Sequence, residues 1–211
     1  MLTWLANDLA ANTRLWTIAF WHHPPYSKGS HDSDSESQLL DMRQNALPIL
    51  EAGGVDLVLT GHSHSYERSF LLDGHYGLST SLIPAMIVNG GDGRLGGDGA
   101  YVKPVTIPSA NAGVVYAVAG SSAQASGGAL NHPVMVTSLN LTGSMVLDVH
   151  RNTLEARFLG GTGVVLDSFA IVKLGVAGID GGPPAARGLR LGPGLPNPFT
   201  LDLRMSFALE R

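Results

Sequence analysis

Two apolar runs, each ending in histidines, restrict this chain more than any other feature. LWTIAFW (15–21) runs directly into HHPPYSKGSHDSDSES, and VDLVLT (55–60) runs directly into GHSHSYER (61–68). Unbroken apolar runs of this length suit strands covered on both faces, as in a parallel sheet. Pro24 and Pro25 stop the first ladder, and the polar residues after them make a long loop. From Gln38 to Ala52 the apolar positions Leu39, Met42, Ala46 and Leu50 suit a helix. Pro48 predicts a break or a second start inside it, and Gly53 and Gly54 close it. Strand, helix and strand in this order form a βαβ unit, parallel and right-handed. Both polar segments, 22–36 and 61–68, then leave one carboxyl edge and face each other, where open α/β sheets seat their ligands.

The rest of the chain divides around this unit. Leu2, Leu5, Ala6 and Leu9 predict a helix over 2–11, with Thr3 near its start as a cap. In the second half, glycine punctuates short β-prone runs: SFLLDG, AMIVNG, GVVYAVAG, VMVTSL, SMVLDVH, TLEARFLG and VVLDSFAIVK. The last three predict a meander, and the set predicts an antiparallel sheet packed on or beside the parallel one. After Lys173 the glycine, proline and alanine content reads as a linker over 175–190, and 191–211 as the start of a further C-terminal module.

Composition closes several alternatives. Of 211 residues 44% are hydrophobic and 14% charged, which supports a packed core in one good-sized domain plus a small extra. A net charge of −4 argues against a general nucleic-acid binder or a basic membrane-surface module. No apolar run approaches the ~18 residues a membrane span needs, and no span is expected. With no cysteine there are neither disulfides nor thiolate metal ligands. MLTWLANDLA lacks the basic-then-apolar plan of a signal peptide.

On an extended backbone, residues i and i+2 project to the same side. His62 and His64 would then share a face, with Ser63 turned away and Gly61 allowing a tight exit from the strand. Two imidazoles there are good ligands for zinc, iron or manganese. An isolated His-x-His is more often a pair of surface histidines, but the facing segment also begins with His22 and His23. Imidazoles gathered at one edge would repel each other once protonated unless a metal held them neutral. The acidic residues nearby, Asp32, Asp34, Glu36, Glu67, Asp92 and Asp98, fit no ligand spacing and read as solvated loop charges. The residues alone thus supply half a metal site.

WHHPPYSKGSH followed by VDLVLTGHSHSYERS closely resembles the last two metal-ligand blocks of the purple acid phosphatases, within the calcineurin-like metallophosphoesterases. The family's His-x-Pro-x-Tyr block corresponds to His22 to Tyr26, and every position of Gly-His-x-His-x-Tyr-Glu-Arg fits Gly61 to Arg68. The likeness spans residues 1 to about 174 and implies the C-terminal part of an α/β catalytic domain, a β-sandwich flanked by helices in αββα layers. It implies His22 and His62 as ligands of a divalent metal and His64 as a ligand of a second, usually ferric, metal. It further implies His31 as a contact to the substrate phosphate that protonates the leaving group, and His23 either in similar work or simply packed beside Pro24. Tyr66 and Arg68 are expected to brace the loop, and His75, His132 and His150 to be ordinary surface or loop histidines.

For the intact parent the resemblance implies a dinuclear centre, iron with zinc, manganese or a second iron, that hydrolyses phosphate monoesters with an acidic optimum. The family's earlier blocks, Asp-x-Gly, Gly-Asp-x-x-Tyr and Gly-Asn-His-Glu, do not occur ahead of the histidine segments, and the glycine-aspartate pairs of GGDGRLGGDGAY come after them and fit a loop. The chain is therefore expected to begin in mid-domain, with Met1 an internal methionine or an artificial start. Alone it is expected to hold partial metal or none and to show little activity. LPNPFTLDLRMSFAL resembles the opening of C-terminal modules that follow secreted bacterial enzymes, which implies a secreted or extracytoplasmic setting. The rival expectation is a secreted, non-enzymatic β-rich binding module with at most one structural metal, which leaves the paired histidine blocks unexplained.

Overall fold

The computed structural model describes residues 1–175 together with the short strands Arg190–Leu191 and Phe207–Ala208, which pair antiparallel. The linker and C-terminal module expected beyond residue 174 otherwise lie outside the described residues. Helix α1 covers Leu2–Ala10, and strand β1 covers Ile18–Trp21. β1 starts later than the apolar run because residues 15–17 bond elsewhere. The Trp16 indole donates to the Arg151 carbonyl at 2.7 Å, and the Thr17 N–H donates to the Asp56 carboxylate at 3.0 Å.

The helix between the two apolar runs comes in pieces, α2 (Ser37–Asp41), a π-helical turn (Met42–Ala46) and α3 (Leu47–Ala52). Pro48 has no N–H to give to the preceding turn, and its ring would crowd the carbonyl there. The Leu47 N–H reaches back to the Met42 carbonyl, which widens the turn and lets helical winding continue past the proline. The expected break is thus a π-turn.

Strand β2 (Leu57–Thr60) pairs with β1 in parallel, from Ile18 opposite Leu57 to Trp21 opposite Thr60. The βαβ unit is in place. Four second-half strands join the same sheet: β3 (Tyr66–Leu72), β4 (Ile87–Asn89), β6 (Val114–Ala119) and β7 (Met135–Leu139). The order is β1-β2-β6-β3-β4, with β7 also on β3, so this sheet is mixed. The second sheet runs β5-β10-β9-β8, from Tyr101–Pro104, Val165–Leu174, Thr153–Gly160 and Gly143–His150. Its last three strands form the expected meander, and β5 adds in parallel to β10.

Successive residues of the first sheet divide between two cores, as the period of two requires. Val58, Leu72, Val114 and Tyr116 pack with Leu9, Leu47 and Leu50 of the helices. Leu57, Leu71, Val115 and Ala117 face Tyr101, Leu154, Ala156, Phe169 and Ile171 of the second sheet. Among the described residues the layers are helix, sheet, sheet. β6 sits mid-sheet because Val114 to Val118 are all buried and must be covered on both faces.

Candidate metal centre

β1 and β2 end side by side. One further bond, from the Gly61 N–H to the His22 carbonyl at 3.1 Å, brings the two histidine segments into register at the carboxyl edge. From there the second segment is not extended. Ser63 N–H bonds Gly61 O at 2.7 Å and Ser65 N–H bonds Ser63 O at 2.8 Å, while His62 takes a left-handed φ of 60°. The shared face expected for His62 and His64 rested on an extended backbone, and this double tight turn replaces it. The His64 N–H donates to Ser30 Oγ at 2.9 Å and its carbonyl accepts the Ser126 N–H at 3.1 Å, and His64 belongs to neither donor group below.

His62 lies at the centre of the gathered imidazoles. Its Nδ1 is 3.1 Å from His22 Nε2, and its ring centroid is 4.6 Å from His23 and 3.8 Å from His31. His31 Nδ1 meets both oxygens of Glu36, at 3.0 and 2.9 Å, and His62 Nε2 lies 3.7 Å from Glu36 Oε2. Two donor groups result, His22–His23–His62 and His31–Glu36–His62, each with ligand atoms within 4.8 Å of one another. Partial burial, and then the positive charge His31, His23 and His22 would carry, push the His62 pKa down. Burial pushes the Glu36 carboxyl up, but the hydrogen bond and charge of His31 with the Asp32 N–H outweigh it and leave it low. Crowded imidazoles beside a carboxylate are a donor set suited to a first-row divalent cation.

Three acidic residues read as solvated charges are engaged instead. Glu36 stands at the start of α2, its Oε1 accepting the Asp32 N–H at 3.1 Å. Glu67 is buried and accepts Ser27 Oγ at 2.5 Å, Ser65 Oγ at 3.0 Å and the Lys28 N–H at 3.0 Å, which ties the two histidine loops together. Burial raises its pKa against those donors. Asp34 pairs with Lys28 at 3.0 Å and Arg43 at 3.4 Å, and burial is outweighed by bonds from Ser79 and Lys28, which hold its carboxyl far below the usual range. The only sequence signal for Glu36 was its place where the loop becomes a helix.

Tyr66 and Arg68 brace the two sheets, not the loop: both bond Asp167 of β10, at 2.8 Å from the Tyr66 hydroxyl and 2.6 Å from Arg68 Nε. His75 and His132 are corrected outright, being 0% and 2% exposed against the Tyr26 ring.

Fold and edge together define a class. Residues 2–66 match the family model described as calcineurin-like phosphoesterase, and the chain is similar to that family over this stretch. Several of the curated relatives are purple acid phosphatases. Purple acid phosphatase 18 of Arabidopsis thaliana is 38% identical over 71 residues, covering 32% of this chain and 15% of the relative. Purple acid phosphatase 4 of the same plant is 32% identical over 101 residues, covering 48% and 26%. This chain therefore spans a small part of those proteins. In fold, 81% of the chain superposes on 28% of the purple acid phosphatase PPD1 of yellow lupin (Lupinus luteus), with a TM-score of 0.61 and 18% identity. It also superposes on 41% of GAP50, the anchor in the inner membrane complex of Plasmodium, with a TM-score of 0.52 and 14% identity. Among the described residues no helix is long and apolar enough to cross a membrane.

Proposed function

We propose that this chain carries the histidine side of a dinuclear centre that hydrolyses phosphate monoesters in an extracytoplasmic setting. The observation that supports it is the 3.1 Å approach of His22 Nε2 to His62 Nδ1, a separation suited to adjacent ligands of one ion. In this reading His22 and His62 hold the divalent ion, zinc, manganese or iron, and His64 reaches a ferric partner. A bound metal pair supplies Lewis acidity and an activated water for in-line attack on phosphorus. The chain's own contribution is to bind and orient the phosphate and to move one proton. The Glu36 carboxylate accepts a hydrogen bond from His31 Nδ1–H and supports the doubly protonated ring, whose Nε2–H is the proton passed to the departing alkoxide. His23, its ring centroid 5.0 Å from that of His22, offers a hydrogen-bond donor beside the phosphoryl oxygens.

Three imidazole ligands without a bridging carboxylate are too few donors to hold two ions tightly, so the chain alone is expected to turn over p-nitrophenyl phosphate little or not at all. The test is metal content of the purified chain by plasma mass spectrometry, with inorganic phosphate binding by calorimetry. His22→Ala and His62→Ala should each lose bound metal, and His31→Ala should weaken phosphate about tenfold while keeping it. Unchanged metal content in both metal-ligand variants would overturn the reading.

A further inference from the structure

The two ring nitrogens of His62 face different partners. Nδ1 meets His22, while Nε2 points toward Glu36, whose Oε2 is 3.7 Å away and also 2.9 Å from His31 Nδ1. We propose that His31, Glu36 and His62 form a second cation site, independent of His22, that takes one divalent first-row ion such as Zn(II) through two imidazoles and one carboxylate.

Donor spacing carries the argument. Ligands of a tetrahedral zinc ion at bond lengths of ~2.0–2.1 Å lie ~3.3 Å apart. The separations of 2.9 and 3.7 Å about Glu36 Oε2 bracket that value, so small rotations of three side chains bring the donors onto an ion. Glu36 is already positioned for this. Its Oε1 is held by the Asp32 N–H, the kind of outer bond that orients a ligating carboxylate and leaves the other oxygen for the metal. Exposure of about a third for the His31 and Glu36 side chains leaves an entry path and a coordination position for water. The bland alternative is an ordinary His31–Glu36 ion pair, but a pair alone has no use for His62 stacked 3.8 Å from His31 and presenting Nε2 to the same carboxylate. A cation here takes the place of the His31 Nδ1 proton, which leaves the ring's remaining proton on Nε2.

The test is titration of the metal-stripped chain with Zn(II) against a chromophoric chelator, for wild type, Glu36→Gln, His31→Gln and His22→Gln. Circular dichroism and thermal unfolding establish that each variant is folded. Glu36→Gln and His31→Gln should each weaken one zinc-binding event at least tenfold, and His22→Gln should leave that event in place. Wild-type affinity in folded Glu36→Gln and His31→Gln would overturn the proposal, as would absence of zinc binding by the folded wild type. Loss of all binding in both His22→Gln and Glu36→Gln would show one shared ion and overturn the independent site. Because the reading under Proposed function is tested at His22, the two can fail separately.

Discussion

At the scale of single residues, the Tyr26 ring lies between two buried imidazoles, stacked on His75 at 5.5 Å and edge-on to His132 at 5.5 Å. The His75 ring nitrogens and His132 Nε2 have no hydrogen-bond partner in the described structure, so both rings sit in the core as neutral groups. Burial lowers the His75 pKa to about 4 and the His132 pKa to about 3. The unfolded chain takes up both protons near pH ~6.5, whereas the folded chain resists them until those lower values. Stability is therefore full above pH ~6.5 and falls as the pH drops toward 4 and then 3, by on the order of 2 kcal/mol for each histidine at pH 5. Urea unfolding at pH 7.5 and pH 5 should show that loss. In His132→Asn, whose Oδ1 still accepts the Val134 N–H, about half of it should vanish. An unchanged difference between the two pH values in that variant would place the titration elsewhere. The sequence offered no sign of this burial, because neither histidine belongs to a periodic apolar segment.

Among elements, the βαβ unit was legible because strands buried on both faces write themselves as unbroken apolar runs, and Leu57 and Val58 do face opposite cores. Which later run slots beside β2 was not legible. VVYAVA states that it is buried but not that it lies between β2 and β3, a choice made by packing across the whole sheet. The bent path of 61–65 was hidden for the same reason, since it depends on the end of β6. Gly120 there lies so near the Ser63 carbonyl that a Cβ would come within 2.1 Å of that oxygen, a backbone atom that moves only if the histidine loop moves. Gly120→Ala should therefore cost about 1–3 kcal/mol in urea unfolding and weaken Zn(II) binding as well, because it shifts the turn that carries His62. Loss of stability with wild-type zinc affinity would show that the loop yields without disturbing His62.

Across the whole molecule, the two sheets are joined by buried charges as well as by their shared apolar core. Asp167 of β10 accepts Arg68 Nε and Nη2 at 2.6 and 3.0 Å, the Tyr66 hydroxyl at 2.8 Å and Arg94 Nη2 at 2.9 Å. Asp56, just before β2, lies 2.8 Å from both Lys103 of β5 and Lys173 of β10. Tyr66 and Arg68 belong to the motif most visible in the sequence, yet their partner stands about a hundred residues on, and spacing along the chain cannot reveal it. Burial pushes the Asp167 carboxyl up, but the bonds and charge of Arg68 outweigh this and hold it low, so its stabilisation is present above pH ~4 and fades only below that. Removing one partner of a buried ion pair leaves the other uncompensated, at a cost of about 3–5 kcal/mol. Asp167→Asn should accordingly lower the urea midpoint sharply at neutral pH, with Arg68 left short of its counter-charge. The histidine edge stands on the first sheet and is tied by Glu67, Ser27 and Ser65, none of which touches Asp167. Zinc affinity of folded Asp167→Asn should then stay within about twofold of wild type. A large fall in both would mean that the edge takes its shape from the packing of the two sheets, and that the metal centre cannot be separated from the sandwich.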